Sequence, residues 1–132
     1  MAAMATVRHH VVVDATADDA WALLGDPARL GEWFPGVTAC EVEGALRTVT
    51  LASGLELPEE LVTVDELQRR LQYTVRVPLV TSHLSTLDVL ELDEKRCCCV
   101  YGCDAIPAVM ALVIAGAGAE GLARAKTILE GG

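Results

Sequence analysis

At 132 residues, 52% hydrophobic but only 4% aromatic, the chain is long enough for one domain whose core is built from Val, Leu and Ala. The 10 Lys and Arg against 19 Asp and Glu give a formal charge of −9, which excludes a surface built to attract nucleic acid or an anionic membrane. The cysteines number 5, an odd count crowded between Cys97 and Cys103 apart from Cys40, which excludes a secreted disulfide framework.

The N-terminus shows no basic segment followed by an apolar stretch, so no signal peptide is expected and a reducing, cytoplasmic setting is. Val7, His9, Val11 and Val13 alternate with Arg8, His10 and Val12, an opening strand. Thr16-Ala17-Asp18-Asp19 has the form of a capping box, with Asp19 in place of the usual Glu, and leads a short helix through Leu24. Gly25-Asp26-Pro27 stops that helix and starts another, with Asp26 as N-cap and Pro27 at its first position. Phe34-Pro35-Gly36 ends it.

From Val37 to Asp104 the period is two. Strands are expected at Val37–Glu43, Leu46–Ala52, Leu55–Val64, Leu71–Val77, His83–Leu92 and Arg96–Cys103, an antiparallel meander with short turns. Ala52-Ser53-Gly54 has the length of a three-residue hairpin loop, with Gly54 as its left-handed residue. Pro107 then opens a helix to about Glu130, roughly 36 Å long, with Ala111, Ile114, Gly118, Leu122, Ala125 and Leu129 as its apolar stripe. The apolar run from Ala105 to Ala119 contains Pro107 and two glycines and is shorter than the roughly 18–20 residues of a membrane span. No membrane insertion is expected.

The stretch from Asp19 to Pro27, followed by Leu30-Gly31-Glu32-Trp33-Phe34-Pro35, resembles the polyketide cyclase/dehydrase branch of the START-like (SRPBCC) superfamily. The strand from Val37 to Gly44, Arg47-Thr48 and Glu59-Glu60-Leu61 fit that branch too. The resemblance covers the whole chain, residues 1–132, as a single α+β helix-grip domain. It implies a curved, seven-stranded antiparallel sheet, the first strand included, wrapped around a long C-terminal helix, with two short helices after the first strand. The superfamily spans lipid carriers, aromatase/cyclases, hormone receptors, allergens and cochaperone-like modules, so the fold alone does not choose among them.

Candidate site residues follow from register. If Leu51 faces Leu55 and Val49 faces Leu57, then Arg47 faces Glu59 on an otherwise apolar face. An arginine there needs a carboxylate beside it, and the pair is either a polar anchor for a ligand carbonyl or carboxylate or a structural ion pair. A tight turn near Leu79 brings Val75 opposite His83 or Ser85, so His83 either joins that row and forms an acid/base pair with Glu59, or ends a strand as an ordinary polar residue.

Cys97, Cys99, Tyr101 and Cys103 share one strand face, about 7 Å between alternate positions, too spread to chelate locally. They are expected as small apolar lining, with no metal. Tyr73 and Tyr101 supply hydroxyls to the inner face. Trp33 and Phe34, in this fold, stand at the mouth or pack as core. Gly116, Gly118 and Gly121 weaken the helix by roughly 1 kcal/mol each, which points to close helix–sheet approach or to vacated ligand volume, the latter favoured for Gly118.

The leading expectation is an intracellular binding protein for a small apolar, lipid- or polyketide-like molecule held between sheet and helix by Trp33, Phe34, Arg47, Glu59, Tyr73, His83, Cys97, Cys99, Tyr101, Cys103 and Gly118. The alternatives are a cyclase/dehydratase using Glu59, His83 and a tyrosine, and a protein-interaction module with a collapsed cavity. No cofactor, no metal and no nucleic-acid partner are expected; a homodimer is left open.

Overall fold

The computed structural model describes residues 3–131. Strand β1 (Ala5–Val13) is followed by helix α1 (Ala17–Leu24), a 3-10 turn (Pro27–Arg29) and a short helix α2 (Leu30–Trp33). Strands β2 (Val37–Glu43), β3 (Leu46–Leu51), β4 (Glu56–Asp65), β5 (Arg70–Val75), β6 (Ser82–Glu91) and β7 (Cys97–Ile106) follow, and helix α3 (Ala108–Leu129) ends the chain. All seven strands form one antiparallel sheet in the order β1-β7-β6-β5-β4-β3-β2, so the first strand closes on the last. This is the expected helix-grip architecture.

Local chemistry sets the start of the short helices. The Thr16 hydroxyl accepts from the Asp19 backbone N–H at 3.0 Å, and the Asp26 carboxylate accepts from that of Ala28 at 3.0 Å. Between β3 and β4, Gly54 takes φ +89°, the left-handed conformation the loop requires. Only β2 has the expected ends; β1 begins two residues early, at Ala5, and β3, β4 and β6 are shifted by a residue, while β5 and β7 differ most. β5 stops at Val75, and β7 continues past Cys103 to Ile106 because both β1 and β6 pair with that extension.

Helix α3 packs chiefly on β1 and β7, burying Ala111, Ala115, Gly118, Gly121, Leu122 and Ala125. Of the expected stripe, Ile114 and Leu129 lie at its half-buried margins. The C-terminal end is tied down: Lys126 Nζ donates to the Val12 carbonyl at 2.9 Å, and Glu130 accepts from the Asp14 backbone N–H at 2.8 Å. Although the uninterrupted apolar run is short, the 22-residue α3 contains an 18-residue window of mean hydropathy 1.4, long and apolar enough to cross a membrane by length and composition; its small-residue face is buried on the sheet, as in a core helix.

The glycines of α3 correct a second expectation. A Cβ on Gly118 would stand 2.2 Å from the ring of Tyr101, so this glycine permits close helix–sheet contact and vacates no space. Gly116 is exposed, and a Cβ there meets nothing within 4 Å. Gly118→Leu should therefore lower stability by about 1–3 kcal/mol through overpacking, while Gly116→Ala should raise it by about 0.5–1 kcal/mol through helix propensity. Urea denaturation of the two variants checks both signs, and a Gly118→Leu protein as stable as its parent would contradict the close-contact account.

Candidate functional site

Because α3 rests on the β1–β7 side, the concave face of β3 to β5 has no helix pressed against it. A cavity of about 380 Å³ lies there. Its sheet wall is Val49, Leu51, Leu57, Glu59, Tyr73, Val75 and His83; its helix wall is Met110, Val113, Ile114 and Ala117; Leu30, Phe34, Pro35 and Val37 close one side. Leu55, Val77, Leu79 and Val80, from the turns before β4 and after β5, form the rim. The volume is at the low end of the range for small-molecule sites, and the lining has the usual mix of apolar walls with a few polar groups. A broader depression is lined by the charged turn residues Asp14, Asp93, Glu94, Lys95 and Arg96 and by no apolar side chain.

Arg47 pairs with Glu59 across β3 and β4, in the register the three-residue loop predicts, with Val49 opposite Leu57. Both side chains point inward, and Arg47 is only 1% exposed. Its Nε donates to Glu59 Oε1 at 2.8 Å, its Nη2 lies 2.7 Å from the same oxygen, and its Nη1 donates to the Pro27 carbonyl at 3.2 Å. The guanidinium also sits 4.6 Å from the centre of the Tyr73 ring, a cation–π contact. Burial pushes the Glu59 carboxyl above its ordinary range, and Arg47 opposes that shift. Glu59 lines the cavity; Arg47 stands behind it.

The next strands continue the polar wall. Tyr73 faces Ser85, and Ser85 faces Cys103. His83 Nδ1 accepts from the Val75 backbone N–H at 2.9 Å, so the neutral ring carries its proton on Nε2 and donates it to Ser85 Oγ at 2.8 Å. The Tyr101 hydroxyl donates to Ser85 Oγ at 3.0 Å, which leaves Tyr73 as the donor in the 2.5 Å contact between the two phenols. Desolvation holds His83 neutral, lowering its pKa to about 4 against a smaller opposing effect of Asp104. Desolvation likewise raises Tyr73 to about 12. At neutral pH His83 and Tyr73 therefore face the cavity uncharged, beside the Glu59 carboxyl that Arg47 contacts.

This geometry separates the residues singled out in the sequence. Phe34, Glu59, Tyr73 and His83 line the cavity, with Arg47 directly behind. Glu59 and His83 do not pair: β5 lies between them, with Val75 opposite Glu59, and both His83 nitrogens are already engaged. Trp33 is buried, with its ring beside Gly121 and the edge of Phe34, so it is core and not mouth. Gly118 and Tyr101 press together beside the cavity.

Cys97, Cys99 and Cys103 are buried but do not line the cavity, because β7 lies under α3, where the helix is seated. All five thiols are free, and the Cys97 and Cys99 sulfurs are 4.0 Å apart, too far for a disulfide bond. Burial raises the thiol pKa of Cys97, Cys99 and Cys103, so they pack as small hydrophobes. Among the described residues no group of three or more His, Cys, Asp or Glu could hold a metal ion. Ser85, fully buried at the centre of the hydrogen-bond chain, was not among the sequence candidates. Its alternation with His83 on β6 was the available signal.

Comparison with known proteins agrees with this architecture. The structure superposes on XoxI from Bacillus cereus with a TM-score of 0.88 at 19% identity, covering 96% of each chain. It superposes on a norcoclaurine synthase point mutant from Thalictrum flavum, in complex with a transition-state analogue, with a TM-score of 0.79 at 19% identity, covering 99% of this chain and 97% of that one. For the di-domain ARO/CYC protein BexL the TM-score is 0.81 at 18% identity, covering 96% of this chain and 46% of that one. At these identities the likeness shows the fold alone. Comparison with curated proteins gives no match. The family model described as "Polyketide cyclase / dehydrase and lipid transport" matches residues 4–130, and with the helix-grip fold and cavity described above, the chain belongs to that family.

Proposed function

We propose that this protein binds a small, largely apolar, lipid- or polyketide-like molecule in the cavity between β3–β5 and the N-terminal half of α3. The observation that carries this reading is a half-open, mainly apolar cavity of about 380 Å³ with polar groups confined to one wall. That volume speaks against a collapsed interaction module. The family's name and the aromatase/cyclase likeness of BexL keep a cyclase or dehydratase as the second reading. Against it stands the state of the imidazole: His83 accepts from a backbone N–H and donates to Ser85, so it has no free lone pair to take a substrate proton.

Native mass spectrometry of freshly purified protein tests the binding reading. The expected result is a retained small molecule, or, from protein stripped by mild denaturation and refolding, saturable binding of a neutral apolar dye such as N-phenyl-1-naphthylamine. The absence of both a retained molecule and dye binding would overturn it.

A further inference from the structure

The polar wall offers a ligand acceptors and no donor at the cavity surface: Arg47 Nη2, which makes no well-aligned hydrogen bond, is buried behind Glu59 at 2.7 Å from Oε1. Oε1 of Glu59 takes both close guanidinium contacts, leaving Oε2 for the cavity. The Tyr73 proton is committed to Tyr101, so its hydroxyl supplies no donor to a ligand. His83 has both nitrogens engaged. Arg47, which in another setting would draw a ligand carboxylate, is already neutralised and shielded by Glu59.

From this we infer that Glu59 is a resident carboxylate that holds the place an acidic ligand would take on Arg47, making the cavity selective for neutral amphiphiles whose head group donates a hydrogen bond, such as an alcohol or phenol. The inference rests on the cavity being a ligand site, and it replaces the expectation that Arg47 anchors a carbonyl or carboxylate. An entering acid would set its charge against Glu59 in a desolvated space and find no donor there, which is the costly combination. A ketone or ether would avoid the repulsion but still lack a donor. A hydroxyl satisfies the free oxygen of Glu59, and hydrogen bonds to a charged group are the stronger kind.

Displacement of N-phenyl-1-naphthylamine at pH 7 by naphthol, methoxynaphthalene and naphthoic acid, substituted at one ring position, tests this. In the parent protein naphthol should bind about tenfold more tightly than either of the others, the difference one charge-assisted hydrogen bond makes. In Glu59→Ala the order should invert, with naphthoate binding tightest and raising the melting temperature more than naphthol does. The paired substitution Arg47→Met with Glu59→Leu removes both charges and should fold even where the single variant is marginal. In it the advantage of naphthol should shrink and naphthoate should gain nothing.

A parent that binds naphthoate as tightly as naphthol overturns the inference, as does an undiminished naphthol advantage in the paired variant. Dye binding without discrimination sinks the inference and leaves the cavity reading standing. A parent that binds neither dye nor any of the three ligands overturns both.

Discussion

Arg47→Ala should lower stability by about 3–5 kcal/mol at pH 8 and by clearly less at pH 5. The size follows from burial: Arg47 is 1% and Glu59 7% exposed, so deleting the guanidinium leaves a carboxylate in an apolar wall. The pH dependence follows from which group is left. Burial already raises the Glu59 carboxyl, and Arg47 is the opposing influence, so without it the folded-state pKa climbs further above the unfolded value. A carboxyl raised in this way binds its proton more tightly in the folded state. Its contribution is fully present below the unfolded pKa and is lost as pH rises through the folded one. Glu59→Ala behaves differently, because it removes the titrating carboxyl itself: the parent's raised Glu59 favours low pH, so the loss on deleting it should be no smaller at pH 5 than at pH 8. Urea melts of parent and both variants at pH 5 and pH 8 check this, and a small or pH-independent loss for Arg47→Ala would contradict the buried-pair account.

The second large effect is expected on acidification of the parent protein. His83 is held neutral with a pKa of about 4, against about 6.5 for the exposed side chain. Between those values the unfolded chain takes up a proton that the folded one refuses, so stability is complete above pH 6.5 and falls as pH drops toward 4. The full difference amounts to about 3 kcal/mol. Carboxylates titrate at the lower end of that window, so the informative quantity is the difference from His83→Gln. Glutamine can accept from the Val75 N–H and donate to Ser85, and its amide does not titrate. Denaturation midpoints of the variant should change less than the parent's between pH 7 and pH 5. Parallel profiles would show that His83 is not the proton-linked group.

What the sequence disclosed depended on how local each determinant is. Arg47 opposite Glu59 was legible because a loop of three residues ending in a left-handed Gly54 fixes the register of β3 and β4, and register fixes faces. His83 was legible only to within a residue, because the longer turn after β5 does not dictate register. Gly118 was misjudged because its meaning depends on Tyr101, 17 positions earlier on another element. Small residues on a helix signal either an empty space or an intimate contact, and the opposing side chain decides. The cysteines of β7 were assigned to the correct face but the wrong half of it. Alternation along a strand says which side is covered, and nothing about where along the sheet the helix lies. Ser85 escaped notice because a serine acquires a role only from the His83 and Tyr101 groups that converge on it.

The unequal seating of α3 has a consequence for how such a domain can change. Leu122, Ala125, Lys126 and Glu130 tie its last turns to β1, while Val109, Leu112 and Val113 at its beginning stand exposed beside the cavity. The first half of the helix has two faces, with Ala111 and Ala115 pressed on the sheet and Met110, Val113, Ile114 and Ala117 turned to the cavity. Substitutions at Val113 or Ala117 would reshape the cavity away from the close contacts of Gly118 and Gly121, whereas Met110 and Ile114 also pack against the core. If the cavity is the ligand site proposed above, stability and ligand choice rest largely on different faces of one helix, so the cavity-facing positions can vary while the sheet-facing ones hold the fold.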